Sequence, residues 1–336
     1  MSKKNGNTDL INNIYISVVI AAFNRREYLK GAIESVMNQD FEKERFEIIV
    51  VKNFNDPSID NFIMNNHIKS FFSEETSYPK RILNSLSITE SNIVCFLEDD
   101  DLYLPNHLRF VYNTFSKNPK IGFIKGGFIK FSNAGVVVDH TWKKVKKSIC
   151  IESDKLTLKK VISIHSYGGS AIISASAIRK DLLISALERF PSVNLFDYII
   201  PYFVLYRTFN VLISSEIITR YRVSNSWTHV ITKNMQEFQS RKIFLLEKTI
   251  SDYQMMEMTF RECDIILKAI RYQATEMTLE LSVISGKSKN ISGIMNYIIC
   301  SFLDLNLKRL ALLGLYLISR ICRNCSSWFL YKIMEY

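Results

Sequence analysis

Short apolar runs rich in β-branched residues alternate with segments of helical spacing through the first 120 residues, and no other feature narrows the possible folds as much. "YISVVIAAF" (15–23) reads as a strand buried on both faces, because its apolar character is continuous rather than alternating. "NRREYLKGAIESVMNQ" follows, with Leu29, Ile33, Val36 and Met37 at helical spacing and Asn24 placed as its N-cap. "FEIIVVKNF", "HIKSFF" and "NIVCFL" read as further strands. "SIDNFIMNN", "YPKRILNSLSIT" and "PNHLRFVYNTFSKN" read as helices, the last two opened by Pro79 and Pro105. Alternation in this order predicts a parallel sheet with helices on both faces.

After Lys120 the pattern changes. "IGFIKGGFIKF" and "VVVDH" flank "SNAG", a hairpin-like turn carrying Gly135. "WKKVKK" reads as a basic loop or edge strand, "GGSAIIS" as a short strand and "ASAIRKDLLISALERF" as a helix. "NLFDYIIPYFVLYRTF" is expected to be helical with a kink near Pro201, and "SEIITRYRV" to be a strand. These segments predict antiparallel strands mixed into the same sheet. Strand signals stop near Ile231; helical patterning runs to Ser285, "SGKSKN" breaks it, and a last segment runs from Ile291 to Tyr336. The expected organisation is a polar arm over 1–14, an α/β domain over 15–230 and a mostly helical region over 231–336.

"CFLEDDDLYLP" poses a problem of charge. Glu98, Asp99, Asp100 and Asp101 follow a buried strand directly. Like charges that close repel and raise one another's pKa, so a cation or open solvent must accompany them. In open α/β sheets ligands bind at the carboxyl ends of the strands. Hard oxygen donors there suit Mg²⁺ or Mn²⁺ bridging phosphate oxygens; a solvated acidic loop is the plain alternative. The net charge of +10 suits polyanions such as nucleotides, phospholipid headgroups or nucleic acid without choosing among them. No helix-turn-helix or aromatic RNA motif is visible, so nucleic acid is not an expected partner. "MSKKNGNTDLINN" lacks the apolar core of a signal or span. The six cysteines are scattered, which fits reduced thiols in a cytosolic chain, and the lone Cys322-x-x-Cys325 has no further zinc ligands nearby.

The order "SVVIAAFNRREYLKGAIESVMNQDF", "EIIVV", "NIVCFLEDDDLYLPNHL" resembles the family 2 inverting glycosyltransferases of the GT-A fold, over roughly residues 15 to 225. Those enzymes typically read "SVVIPTYNRxxxLxxAIxSVLxQ", "EIIVVDDGS" and "hhFLDxDDxhxP". The resemblance implies a Rossmann-like mixed sheet flanked by helices, a nucleotide-sugar donor and a Mg²⁺ or Mn²⁺ cofactor. Position by position, it puts the metal-binding aspartate of the D-x-D pattern on Asp100 and its first acid on Glu98, with Asp99 and Asp101 near ribose or metal-bound water. Ala21, Ala22, Phe23 and Asn24 fall beside the nucleotide base, with Arg26 nearby; Ala22 and Phe23 replace the usual Thr and Tyr. The family's "VVDDGS" is here "VVKNFND": Lys52 stands where an Asp usually holds the base, so either Asn53 supplies an amide or Asp56 reaches back.

The same resemblance implies an acidic pair at the start of a helix that holds the catalytic base. Here Phe196 replaces the first acid and Asp197 the second. Read alone, Asp197 is also a plain first-turn acid favoured by the helix dipole. "RYRVSNSWTH" matches the family's "YRxHxxSxS" at Tyr221, Arg222 and Ser226, with Ser224 at the histidine position and His229 close behind; Arg222 is expected on the diphosphate. His140 and His165 read as structural or exposed.

"LKRLALLGLYLISRICRNCSSWFLYKIMEY" is apolar with basic punctuation at Lys308, Arg309, Arg320, Arg323 and Lys332. Its uninterrupted apolar run of about ten residues falls short of the roughly twenty that span a bilayer. It fits a helix lying in the headgroup region, with Trp328, Phe329 and Tyr331 at the boundary, at the cytoplasmic face of the cell membrane; a helical subdomain packed on the chain or a partner is the alternative. A metal-dependent transferase acting on a hydroxyl acceptor, a lipid-linked glycan or polyisoprenyl phosphate among them, is therefore the expectation. A non-catalytic nucleotide-binding or membrane scaffold on a decayed transferase domain is the competing reading. A dinucleotide-dependent oxidoreductase needs glycines after the first strand, and "AAFNRREYLKG" has none before Gly31. A nucleotidyltransferase needs a Gly-rich basic loop that is absent near the N-terminus.

Overall fold

The computed structural model describes residues 15–132, 137–139, 147–169, 172–223, 235–285, 293–304 and 307–319. The chain divides into two compact units, Met1–Lys155 with Tyr167–Ser224, and Leu156–Ser166 with Asn225–Tyr336.

The first unit opens with β1 (Ile16–Ala22), α1 (Leu29–Met37), β2 (Phe46–Lys52), α2 (Pro57–Asn65), β3 (Lys69–Phe72), α3 (Tyr78–Ser85) and β4 (Ile93–Glu98). These four strands run parallel in the order β3-β2-β1-β4. Every residue of β1 is buried, as its continuous apolar run requires. One stripe of α1, Leu29, Ala32, Ile33 and Val36, closes one face of the core.

The sheet continues through β5 (Leu102–Tyr103), α4 (His107–Lys117), β6 (Ile121–Phe131), β7 (Val137–Asp139) and β8 (Ile149–Ile151). In the second unit lies α5 (Leu158–Ser166), after which the first unit resumes with β9 (Ser176–Arg179), α6 (Lys180–Arg189), α7 (Phe196–Tyr206) and β10 (Asn210–Arg222). β9 lies antiparallel between β4 and β6, β10 runs parallel to β6, and β5 and β8 pair antiparallel with β10. The sheet is therefore mixed, as expected from the change of pattern after Lys120.

Several local expectations give way. Asn24 does not cap α1, which starts at Leu29; it takes a left-handed conformation, φ 59°, that turns the chain out of β1. "GGSAIIS" does not form the strand: Ile173–Ala175 is a 3₁₀ turn, and the strand comes later, at Ser176–Arg179. That strand takes the first turn of the expected helix, so α6 begins at Lys180. α7 runs from Phe196 to Tyr206 with Pro201 inside it. Pro201 has no N–H to bond the carbonyl four residues back, that of Asp197. The turn "SNAG", most of "WKKVKK", Ser224, Ser226, His140, His229 and the CxxC lie outside the described residues.

The second unit gathers α5 with α8 (Met235–Thr259), α9 (Asp264–Ser285), α10 (Ile294–Asp304) and α11 (Leu307–Ser319). The expected long helical region breaks at Phe260–Cys263 into α8 and α9, which pack together. At its centre Arg309 pairs with Asp304 at 2.7 Å and Glu276 at 2.9 Å, while its guanidinium lies 4.7 Å from the Tyr272 ring centre. Ser166 of α5 donates to Asp304 at 2.6 Å, and His165 is half-buried in the same unit, its pKa lowered to about 4 by desolvation and by Arg309. Among the described residues no helix is long and apolar enough to cross a membrane.

Candidate active site

The carboxylates after β4 lie inside the protein: Asp99, Asp100 and Asp101 are 2%, 6% and 1% exposed. A solvated loop is thereby ruled out, and a counter-cation is required. It is Arg25, from the loop after β1. Its Nε donates to Asp99 Oδ1 at 3.0 Å, its Nη2 to the same oxygen, and its Nη1 lies 2.8 Å from Asp100 Oδ2. Burial works against the Arg25 charge, but the bond to Asp99 and the fields of Asp99, Asp100 and Glu98 outweigh it and hold its pKa above the usual value. Arg25 stands at the arginine of the "YNR" pattern, though the expectation had singled out its neighbour Arg26.

Asp101 is committed internally. Its Oδ2 accepts from Ser174 Oγ at 2.6 Å and its Oδ1 from the Arg222 backbone N–H at 2.9 Å. Ser174 Oγ also accepts from the Glu98 N–H at 3.0 Å, so the 3₁₀ turn Ile173–Ala175 clamps the acid loop. Asp101, expected to bind metal, is thus placed with each of its oxygens accepting a hydrogen bond that holds the loop. Arg222 also holds the loop: its Nε donates to the Asp100 carbonyl at 2.9 Å and its guanidinium lies 4.3 and 4.4 Å from the Tyr28 and Phe131 ring centres.

The ends of β1 and β2 are tied by two asparagines. The Asn24 N–H donates to Asn53 Oδ1, and Asn53 Nδ2 donates to Asn24 Oδ1, each at 2.8 Å. These two expected donor-binding residues therefore meet at the strand ends. Arg26 is exposed beside them, 5.3 Å from the Phe54 ring centre. Ala22, by contrast, is fully buried within β1 and offers no side chain to a ligand. Lys52 turns inward, pairing with Asp60 at 2.9 Å and donating to the Phe54 carbonyl at 2.8 Å. Asp56 caps α2, accepting from Ser58 and Ile59, so it does not reach back to the strand end.

Three further side chains, none of them marked by a motif, complete the mouth. Arg81 of α3 lies 4.4 Å from the Phe23 ring centre. Tyr78 bonds Glu98 and lies within the field of Asp197. Lys125 of β6 is 1% exposed, donates to the Ile172 carbonyl, and lies within the fields of Asp197 and Asp101. Burial lowers its pKa to about 7, against the pull of those two acids. Asp197, in the first turn of α7, has its pKa raised to about 6 by burial, moderated by Lys125 and by backbone N–H groups. Glu98 is pushed up to about 8 by burial and by its three acidic neighbours, and Asp99 to about 6 by burial, which Arg25 opposes.

Asp99 Oδ2 is buried and has no hydrogen-bond partner among the described residues. An orphaned carboxylate oxygen beside Asp100 fits a hard divalent cation. Among the described residues no group of three or more His, Cys, Asp or Glu side chains is gathered to hold a metal ion. Asp99 and Asp100 would therefore share such an ion with phosphate oxygens and water, the usual habit of Mg²⁺.

The family model described as Glycosyl transferase family 2 matches residues 17–182, which takes in the strand ends and the acid loop and stops short of Asp197 and Arg222. The fold is also that of solved transferases. S. aureus TarS 1-349 in complex with UDP-GlcNAc aligns with TM-score 0.54 and 12% identity, over 94% of this chain and 89% of that one. The mannosyltransferase PcManGT from Pyrobaculum calidifontis, in complex with GDP-Man and Mn²⁺, aligns with TM-score 0.51 and 12% identity, over 92% and 86%. Residues 17–182, which hold the parallel strands and this strand-end acid loop, thus match glycosyl transferase family 2, and the mixed sheet around them has the GT-A type fold of those solved transferases.

Proposed function

We propose that the protein is a metal-dependent, inverting glycosyltransferase that moves a sugar from a nucleotide-sugar donor to an acceptor oxygen, the hydroxyl of a lipid-linked glycan or, with no proton to remove, the phosphate oxygen of a polyisoprenyl phosphate; the base is needed for the hydroxyl acceptor. The observation that carries this reading is electrostatic and positional. Asp197 shares the field of Lys125 with Asp101, and the field of Tyr78 with Glu98, which supports a base acting near the acid loop. The acceptor oxygen bonds to the anomeric carbon as the bond to the donor diphosphate breaks, and Asp197 takes the acceptor proton. A burial-raised carboxylate is a stronger base than an ordinary Asp and is still ionised near neutral pH. A divalent ion, when bound, stabilises charge on the departing diphosphate. Asn24, Asn53, Phe23 and Arg26 line the strand ends where the nucleotide would lie.

A lipid-borne acceptor suits the second unit. On α10 the side chains of Met295, Ile299, Phe302 and Leu303 fall on one helical face, and all four are exposed. An apolar stripe on a chain of net charge +10 fits an anionic membrane surface at its cytoplasmic face.

The test is a thermal-shift screen of nucleotide sugars with and without Mg²⁺ or Mn²⁺, followed by transfer assays. Metal-dependent stabilisation by one nucleotide class, with turnover, is expected. Stabilisation without turnover on any acceptor would favour the scaffold reading instead.

A further inference from the structure

We propose that Arg25 is the resident counter-cation of the acid loop, and that a divalent ion enters only by displacing its guanidinium from Asp99 and Asp100 as the donor's diphosphate arrives. The inference rests on the metal-dependent reading above and adds an order of events to it.

The contacts carry the argument. One guanidinium spans two acids, holding Asp99 Oδ1 through Nε at 3.0 Å and Asp100 Oδ2 through Nη1 at 2.8 Å. A divalent ion sits at about 2.1 Å from carboxylate oxygen. It and the guanidinium cannot both occupy the space between these two oxygens. Asp99 Oδ2, buried and without a hydrogen bond among the described residues, is the oxygen that an ion can take once the guanidinium has moved aside.

Charge sets the thermodynamics. Displacing Arg25 with nothing to receive it costs its three charge-assisted contacts with the two acids, so an ion alone gains little over the resident guanidinium. A diphosphate changes the balance, because guanidinium pairs bidentately with phosphate oxygens. Arg25 also has somewhere to go. Its side chain is 28% exposed, against 3% for Asp99, so it sits on the solvent side of the acids. The loop that carries it leaves β1 through the left-handed Asn24, which Asn53 holds in place, so the side chain can swing while its backbone stays fixed. Ion and diphosphate then strengthen one another's binding, and by linkage the coupling is reciprocal.

The experiment uses the full chain and follows free Mn²⁺ by electron paramagnetic resonance, with Mn²⁺ alone and with Mn²⁺ plus UDP or GDP. Wild type is expected to take up Mn²⁺ only with nucleotide. Arg25→Met is expected to bind Mn²⁺ alone at least tenfold more tightly than wild type. Arg25→Lys keeps the charge but replaces the planar three-contact fork with a point charge on a shorter stem, and is expected to shift in the same direction by at least threefold; it decides the matter if Arg25→Met does not fold. Equal affinity of wild type and both variants for Mn²⁺ alone, with uptake intact when nucleotide is present, overturns the displacement and leaves metal dependence standing. No uptake by any protein under any condition overturns both.

Discussion

Asp197 works as a base only when ionised, so transfer by the wild type is expected to fall as pH drops through about 6, where burial has placed its pKa. Asp197→Asn is expected to keep donor affinity in a thermal-shift titration and to lose about 10²–10⁴-fold in turnover. Unchanged turnover would remove Asp197 from the chemistry. Lys125 tunes the same group. Its cation favours the Asp197 carboxylate, so Lys125→Met raises the Asp197 pKa further and moves the acid limb of the kcat/KM profile to higher pH. A profile that drops in height without moving would mean that Lys125 only supports packing. Asp100, Asp99 and Asp197 were marked by their places in recognisable motifs. Arg81, Lys125 and Tyr78 were not, because they reach the strand ends from α3 and β6, which carry no motif; Arg25 stood at the arginine of the "YNR" pattern, but its neighbour Arg26 was the one expected at the donor. Lys52 and Asp56 stand at or beside a motif position, yet each is used by the turn that carries it, which leaves Asn53, of the two expected substitutes, at the strand end.

Among the elements, β6 bears the tightest demand. A Cβ on Gly126 would lie 2.3 Å from Ile218 Cδ1 and 2.4 Å from Cγ1 of the neighbouring β10. Ile218 is fully buried and β10 cannot step aside without disturbing its pairing with β6 and β5. Gly126→Ala is therefore expected to cost about 1–3 kcal/mol, read as a lower urea midpoint at unchanged slope. The strands of the first half were readable because a doubly buried strand must be apolar throughout. β9 was not: its four residues carry no period of their own and are a strand only because β4 and β6 flank them. The same short length hid β5 and β8, and the 3₁₀ turn that clamps the acid loop follows no propensity rule.

Across the whole molecule the two units rest on different physics. The sheet unit has an aliphatic core, whereas the helical unit buries the Arg309 cluster with Glu276, Asp304 and Gln273. Removing one member of a buried ionic group costs about 3–5 kcal/mol, since the partners stay buried and unpaired. Arg309→Ala is thus expected to lower the melting temperature markedly and to open α9–α11 to amide exchange. The exposed α10 stripe makes a separate prediction: Phe302→Asp weakens sedimentation of the full chain with anionic vesicles at least tenfold, and undiminished binding removes α10 from the membrane reading. What the order of amino acids settled was the sheet, its crossover helices and the strand end on which the acids lie, because burial on two faces dictates local composition. What only the folded chain decided was which charges meet. Arg25 with Asp99, Lys125 near Asp197, and Arg222 behind Asp100 are encounters between distant segments, and an electrostatic partner leaves no periodic trace along a chain.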